Sequence, residues 1–385
     1  MMNKISVIIA LVLLTSCKSN KDEVFDSSGP EANLKKILVE SINETNGDLA
    51  GVSLTVISPE LGINFSGAHG FDSTTKENIL NANQPFRIAS LTKTFVSAAI
   101  LRLQEEGKLD INNSIDTYVS TDHLRILKEE GYDPQQITIK HCMMHVSGLF
   151  DYAEGNESYI AEASKDPSKR WTRTEQIQWA MDHGKPMGKP GENFHYSDTG
   201  YVLLGEIIER QSGLDLAQGL RQLLQFEKLG MSSTWLESLE DAPLGLPSSV
   251  KRYMGDLNTT HWDNSVDLYG GGGLQATTKD LALFLQGLFN NQVFQHKETL
   301  DIMLLKAGFD SSDSELPEYR LGFGQIKGKE SGIEAFLHTG FWGSIFMHFP
   351  YYNCSIALNN TNDIDNEVLQ RTINYVQWLA EEQEL

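Results

Sequence analysis

The sequence predicts an α/β protein of the α+β sandwich kind, an antiparallel sheet flanked by helices with a mostly α-helical subdomain inserted. Three observations carry this expectation. Strand patterns cluster toward the two ends of the chain: "GVSLTVIS" and "GINFSGAHG" early, "GSIFMHFP" and "CSIALNNT" late. Between them, "TRTEQIQWAMDHG", "GYVLLGEIIERQSG" and "LRQLLQFEKLGM" hold apolar residues at helical spacing and run out at glycine. Finally, a closing helix puts Leu369, Ile373, Val376 and Leu379 or Ala380 on one face, where they can cover a sheet.

The chain opens with "MMNKISVIIALVLLTSC", one lysine followed by an apolar run from Ile5 to Leu14. The run is too short to span a bilayer comfortably and reads as the core of a secretory signal, residues 1–16. Leu14-Thr15-Ser16-Cys17 resembles a bacterial lipobox, in which Cys17 is lipidated and becomes the mature N-terminus. Several acyl chains on one residue would hold the protein stably at the membrane. The expected location is therefore the bacterial cell envelope, lipid-anchored, on the periplasm-facing outer membrane or the cell surface. Residues 17–33 are polar and contain Ser, Gly and Pro, as a tether would. Within them Lys21-Asp22-Glu23 resembles a short surface-export signal, and reads equally as solvated linker.

Residues 34–385 form the folded domain, with its α/β part at 34–108 and 262–385 and its helical subdomain at about 109–261. Leu34, Ile37, Leu38, Ser41 and Ile42 mark a first helix, and Pro59-Glu60 turns the first strand hairpin. A long helical pattern starts at Ser90 (Phe95, Ala98, Ala99, Leu101, Leu103) and stops at Gly107. Late in the chain a four-glycine run precedes a Thr277-to-Asp280 capping pattern and an amphipathic helix.

Composition excludes several partners. With 52 acidic against 31 basic residues the net charge is −21, which repels nucleic-acid phosphates and anionic lipid. No G-K-[ST] follows the glycines, so they do not read as a nucleotide cradle. Cys142 and Cys354 lie far apart in apolar runs and are expected as buried free thiols. His141 and His145 in "HCMMH" are a helical turn apart with Cys and Met between, a spacing that could suit a metal.

A serine followed three residues later by lysine occurs at Ser73/Lys76, Ser90/Lys93 and Ser248/Lys251. Context separates them. Ser73 and Ser248 sit in irregular polar segments, whereas Ser90 opens a helix, where residues three apart share a face. Lys93 can then reach the Ser90 hydroxyl, and apolar neighbours would desolvate the amine and make it a usable base. An acyl-transfer serine also needs a second proton-handling group and an oxyanion hole. "FHYSDTGY" supplies Tyr196 and Asp198, and "FLHTGFWGS" supplies His338, Thr339 and Gly340.

Taken in order, "FRIASLTKTF", "HVSGL", "PGENFHYSDTGYVLLGEIIE", "GGGLQATTKDLALFL" and "HTGFWGS" resemble the penicillin-recognising serine hydrolases of the class C β-lactamase type, which include D-alanyl-D-alanine carboxypeptidases, esterases and D-aminopeptidases. The resemblance runs from about Leu34 to the C-terminus and implies the β-lactamase/transpeptidase-like arrangement, with "HCMMH" at a helix end facing the core and neither a metal nor an organic cofactor required. It implies that Ser90 forms an acyl-enzyme and that Lys93 and Tyr196 handle its proton. It also implies that the N–H groups of Ser90 and Phe341 form the oxyanion hole, and that His338 and Thr339, beside Gly340, line the substrate edge. Two residues depart from the family pattern. Asp198 stands where asparagine is common and could pair with Lys93, shifting the base role to Tyr196. His338 stands in place of lysine and removes a permanent positive charge. Both favour an amide or ester substrate, a small peptide of D-amino acids or a small ester, over a β-lactam. The alternatives are a class C-like β-lactamase and a catalytically silent lipoprotein that binds peptide or glycan. Trp342 is expected near the substrate.

Overall fold

The computed structural model describes residues 25–44, 49–153, 157–306, 318–328, 331–362 and 367–384. The signal segment, Cys17 and the first part of the tether lie outside these. The first helix, α1 (Pro30–Glu44), begins four residues earlier than expected, with Pro30 in the position that suits its fixed φ. Residues 30–33, expected as tether, are thus helical. The Asn33 amide donates to the carbonyls of Asp26 and Gly29 at 3.0 Å, and Phe25 packs edge-on against Tyr375 at 5.2 Å.

After α1 come the hairpin β1 (Gly51–Ser58) and β2 (Ile63–Gly70), then β3 (Phe86–Arg87) and α2 (Thr92–Glu105). The middle of the chain carries α3 (Thr121–Glu129), α4 (Ile139–Met143), α5 (Glu157–Lys165), α6 (Arg173–His183), α7 (Asp198–Ser212) and α8 (Leu216–Leu223). Short strands follow, β4 (Trp235–Leu236), β5 (Tyr253–Met254) and β6 (Leu257–Asn258), and then β7 (Leu274–Ala276), α9 (Thr278–Phe289) and α10 (Lys297–Met303). The chain ends with β8 (Glu318–Tyr319), β9 (Gly324–Lys327), β10 (Glu334–Gly340), β11 (Ser344–Phe349), β12 (Cys354–Asn360) and α11 (Glu367–Glu382).

The two ends of the chain build one seven-stranded antiparallel sheet, ordered β2-β1-β12-β11-β10-β9-β8. Strand alternation gives it two apolar faces. Val52, Leu54 and Val56 join Ile345, Met347, Ile356 and Leu358 under α1 and α11. Phe336, Phe346 and Ala357 face the other way, into the core that holds α2 and α9. There Thr55 and Thr278 hydroxyls bond at 2.9 Å. A second sheet, β3-β7-β4, takes its outer strand from the middle segment. It matters because β3 leads directly into Ser90 and β7 follows the glycine run. Cys142 and Cys354 are buried free thiols, and burial pushes the Cys142 thiol up to about 12.

Candidate active site

Ser90 lies in a 3-10 turn, Ala89–Leu91, between β3 and α2. Ala89 has φ +46°, in the left-handed region that non-glycine residues avoid, and this kink turns the following hydroxyl out of the core. Ala89 and Leu91 are buried, whereas Ser90 is half-buried. Lys93, one turn on in α2, is fully buried and donates to Ser90 Oγ at 3.0 Å and to the Gly271 carbonyl at 2.7 Å. It also forms an ion pair with Asp198 Oδ1. Three acceptors match the three N–H bonds of an ammonium. Lys93 is thus compensated by a carboxylate, and desolvation by apolar neighbours is not its whole environment as the sequence suggested. The rival serines fail on geometry: the Ser73 hydroxyl bonds Thr75 at 2.9 Å beside an exposed Lys76, and Ser248 is exposed in a loop.

The loop bearing Tyr196 is fastened to His145. The His145 carbonyl accepts from His195 N–H at 2.8 Å, and its Nδ1 accepts from Ser197 N–H at 3.0 Å. The Tyr196 ring stacks on the His145 ring at 4.1 Å, and Lys93 Nζ lies 4.9 Å from its centroid. Burial, with Lys93 nearby, holds the His145 imidazole well below its ordinary range, so it is a neutral strut. Ser197 caps α7 through Gly200 N–H at 3.4 Å, and Asp151 accepts from Asp198 N–H at 3.0 Å. Asp198 therefore enters as the first residue of a capped helix with its backbone fixed. His141, the other half of the suggestive pair, closes a capping box with Thr138. Among the described residues no group of three His, Cys, Asp or Glu side chains is gathered as a metal site.

On the opposite wall, the end of β10 abuts the 3-10 turn. A Cβ at Gly340 would collide with the Ile88 carbonyl and Ser344 Oγ, so only glycine lets the strand approach. Phe341 follows in the β10–β11 turn, and among the described residues its N–H donates to no backbone carbonyl outside helices and strands. Its ring meets that of Trp342 edge-on at 4.8 Å. Thr339 is buried. His338 was expected to line the substrate edge, but both ring nitrogens are already engaged. Nδ1 donates to the Thr339 carbonyl at 2.8 Å and Nε2 accepts from the Tyr319 hydroxyl at 3.0 Å. Burial and then the Lys93 charge push the imidazole down to about 3, so it carries no charge near neutral pH.

Three groups at the site escaped the sequence reading. Tyr319 orients His338. The Gly271 carbonyl binds Lys93, which is one use of the glycine run. Asp267, just ahead of that run, is raised to about 6 by enclosure and by the neighbouring Asp198 charge. An aspartate that closely precedes four glycines was the available signal.

The Beta-lactamase family matches residues 39–375. Penicillin-binding protein 4* of Bacillus subtilis (strain 168) is 27% identical over 271 residues, covering 67% of this chain and 56% of that protein. A putative fimbrial assembly protein FimD of Dichelobacter nodosus is 27% identical over 231 residues, covering 59% and 55%. The matches thus span little more than half the length of these curated relatives. Among solved structures, a D-stereospecific amidohydrolase from Streptomyces sp. superposes with TM-score 0.74 at 21% identity, covering 89% of this chain and 98% of that one. The D-amino acid amidase from Ochrobactrum anthropi SV3, complexed with L-phenylalanine amide, gives 0.73 at 22%, covering 92% and 99%. At such identities these two likenesses show the fold.

Proposed function

We propose, from the premise that this chain belongs to the Beta-lactamase family of penicillin-recognising serine hydrolases, that it hydrolyses an amide or ester through an acyl-enzyme on Ser90. The observation that carries the reading is Lys93 Nζ at 3.0 Å from Ser90 Oγ, anchored on its other sides by Asp198 and Gly271. Ser90 Oγ attacks the substrate carbonyl and its proton passes to the leaving group. Since Lys93 is paired as a cation, Tyr196 is the group left to accept that proton, with Lys93 close enough to stabilise a phenolate. The N–H groups of Ser90 and Phe341 hold the oxyanion, and water then releases the acid.

D-amino-acid peptides or small esters suit the site better than β-lactams. The neutral, doubly engaged His338 offers no cation to a substrate carboxylate. The anchor belongs to the proposal too: Cys17 would carry lipid and hold the domain at the cell envelope, and Cys17→Ser should move the protein out of the membrane fraction.

The test is intact mass after exposure to a fluorophosphonate, with Ser90→Ala alongside. One adduct that vanishes in the variant is expected, together with a turnover loss on the order of 10⁴-fold. An adduct on the variant, or none on either protein, refutes the reading. The Lys93–Asp198 ion pair favours one second reading, a silent cleft that binds peptide or glycan because Lys93 is locked as a spectator.

A further inference from the structure

The small sheet β3-β7-β4 buries more positive charge than it pairs. Arg87 of β3 lies beside Gln275 of β7, which lies beside Trp235 of β4. Just past β4, both oxygens of Glu237 are engaged. Oε2 accepts from Arg87 Nε at 2.6 Å, and Oε1 accepts from the Gln275 amide. A second guanidinium comes from Arg252, in the segment that packs against Arg87. Arg87 Nη2 donates to the Trp262 carbonyl at 3.3 Å, and Arg252 Nη2 donates to the Thr260 carbonyl. The two guanidiniums therefore hang from carbonyls two residues apart, a span of at most about 7 Å. The segment is fixed on itself. Thr259 N–H donates to the Arg252 carbonyl at 2.9 Å, Arg252 N–H to Thr260 Oγ1 at 2.9 Å, and Trp262 N–H to the Thr259 carbonyl at 3.0 Å.

Neither guanidinium is completed. Arg87 is 3% exposed and Arg252 7%, and Arg87 Nη1 and Arg252 Nε are enclosed atoms with no hydrogen-bond partner. Among the described residues no carboxylate bonds Arg252. Asp267 acts on Arg87 through space but hydrogen-bonds neither group. The proximity of the pair also shows in Arg252 itself, whose guanidinium is pushed down to about 10 by burial and then by the Arg87 charge. Among the groups that bond one another, two cations thus share one carboxylate. Buried charges are normally paired and buried donors bonded. An enclosed water would satisfy the donors and leave the charge. One small anion satisfies both.

We infer that Arg87 and Arg252 form a structural site for a halide ion, enclosed on folding, that pins the segment 252–262 onto β3, the strand that leads into Ser90. The excess of one charge asks for a monoanion. Guanidinium groups only donate, so an ion that only accepts matches them. A phosphate brings more oxygens and more charge than the enclosed N–H groups can meet. The site works against a net charge of −21, which is why it takes two adjacent guanidiniums. It does not depend on the reaction at Ser90.

The experiment follows melting temperature from 1 to 300 mM sodium bromide, with ionic strength held constant by sodium gluconate, whose anion is too large to enter. Once bromide exceeds its Kd, each tenfold rise should add about 2 °C, the shift expected for one ion that binds only the folded chain. Arg252→Met keeps a long apolar stem and removes the guanidinium, and should abolish the dependence. Lys185→Met, at a cation 78% exposed, should keep it. If Arg252→Met does not fold, anomalous diffraction from wild-type crystals grown in bromide replaces it, with a peak expected against Arg87 Nη1 and Arg252 Nε. Equal melting temperatures in bromide and gluconate overturn the inference. So does a dependence kept in Arg252→Met, or a guanidinium pair that those crystals show bridged by water. All of these leave the Ser90 reading to its own labelling test.

Discussion

Replacing Asp198 by asparagine isolates the charge of the central ion pair. Asparagine keeps the shape and an oxygen that can accept from Lys93 Nζ, so packing and capping are conserved. What disappears is the negative charge beside an ammonium that is fully buried, with Asp198 itself 6% exposed. Removing one partner of a buried pair costs about 3–5 kcal/mol, because the other charge is left uncompensated. Unfolding entropy near 2.1 cal/mol/K per residue gives a domain of about 350 residues roughly 0.7 kcal/mol/K, so the melting temperature should fall by about 4–7 °C. Differential scanning calorimetry at pH 7 reads this directly, and turnover of a chromogenic amide or ester on the same samples reads the chemistry. A fall in both is expected, since Lys93 loses the group that aims it at Ser90. A melting temperature within 1 °C of wild type would refute the claim that the pair is ionised and structural. Activity rising from zero to measurable would instead establish the silent-cleft reading, with Asp198 as the lock.

Two further outcomes follow from the same geometry. His338 and His348 are both held down to about 3 in the fold, mainly by burial, against about 6.5 in the unfolded chain. Between those values the unfolded state binds more protons, so this stability is fully present above pH 6.5 and lost as pH falls toward 3. The bound is about 5 kcal/mol per histidine. Urea midpoints at pH 7, 5.5 and 4.5 should drop steadily, and His348→Gln should flatten the drop; an unflattened curve would refute the assignment. Gly340→Ala forces a methyl into the Ile88 carbonyl and Ser344 Oγ. It should cost about 1–3 kcal/mol as an overpacked contact and slow fluorophosphonate labelling of Ser90, because the turn that carries the serine must shift; unchanged labelling would show that β10 does not position it.

Much of the fold was legible because it rests on local periods. The alternation of Val52, Leu54 and Val56, the helical spacing after Ser90 and the stripe through Leu369, Ile373 and Val376 each report their own burial without knowledge of a partner. The start of α1 was misread for a related reason. Pro30 to Asn33 are polar and look like linker, and their helicity depends on Asn33 reaching Asp26 and Gly29 and on Phe25 packing against Tyr375, at the far end of the chain.

The site divides in the same way. Ser90 and Lys93 are neighbours on one turn, so their contact was readable from spacing. Lys93 meets Asp198 across 105 residues and Gly271 across 178, and no pattern in either segment states that the three converge. The family resemblance supplied the order of the motifs, but it could not say what a residue outside them does. Tyr319 sits on the edge strand, and only its bond to His338, formed across the folded sheet, gives it a part in the site. Lys93 is completed by Ser90, Asp198 and Gly271, and His338 by Tyr319 and the Thr339 carbonyl.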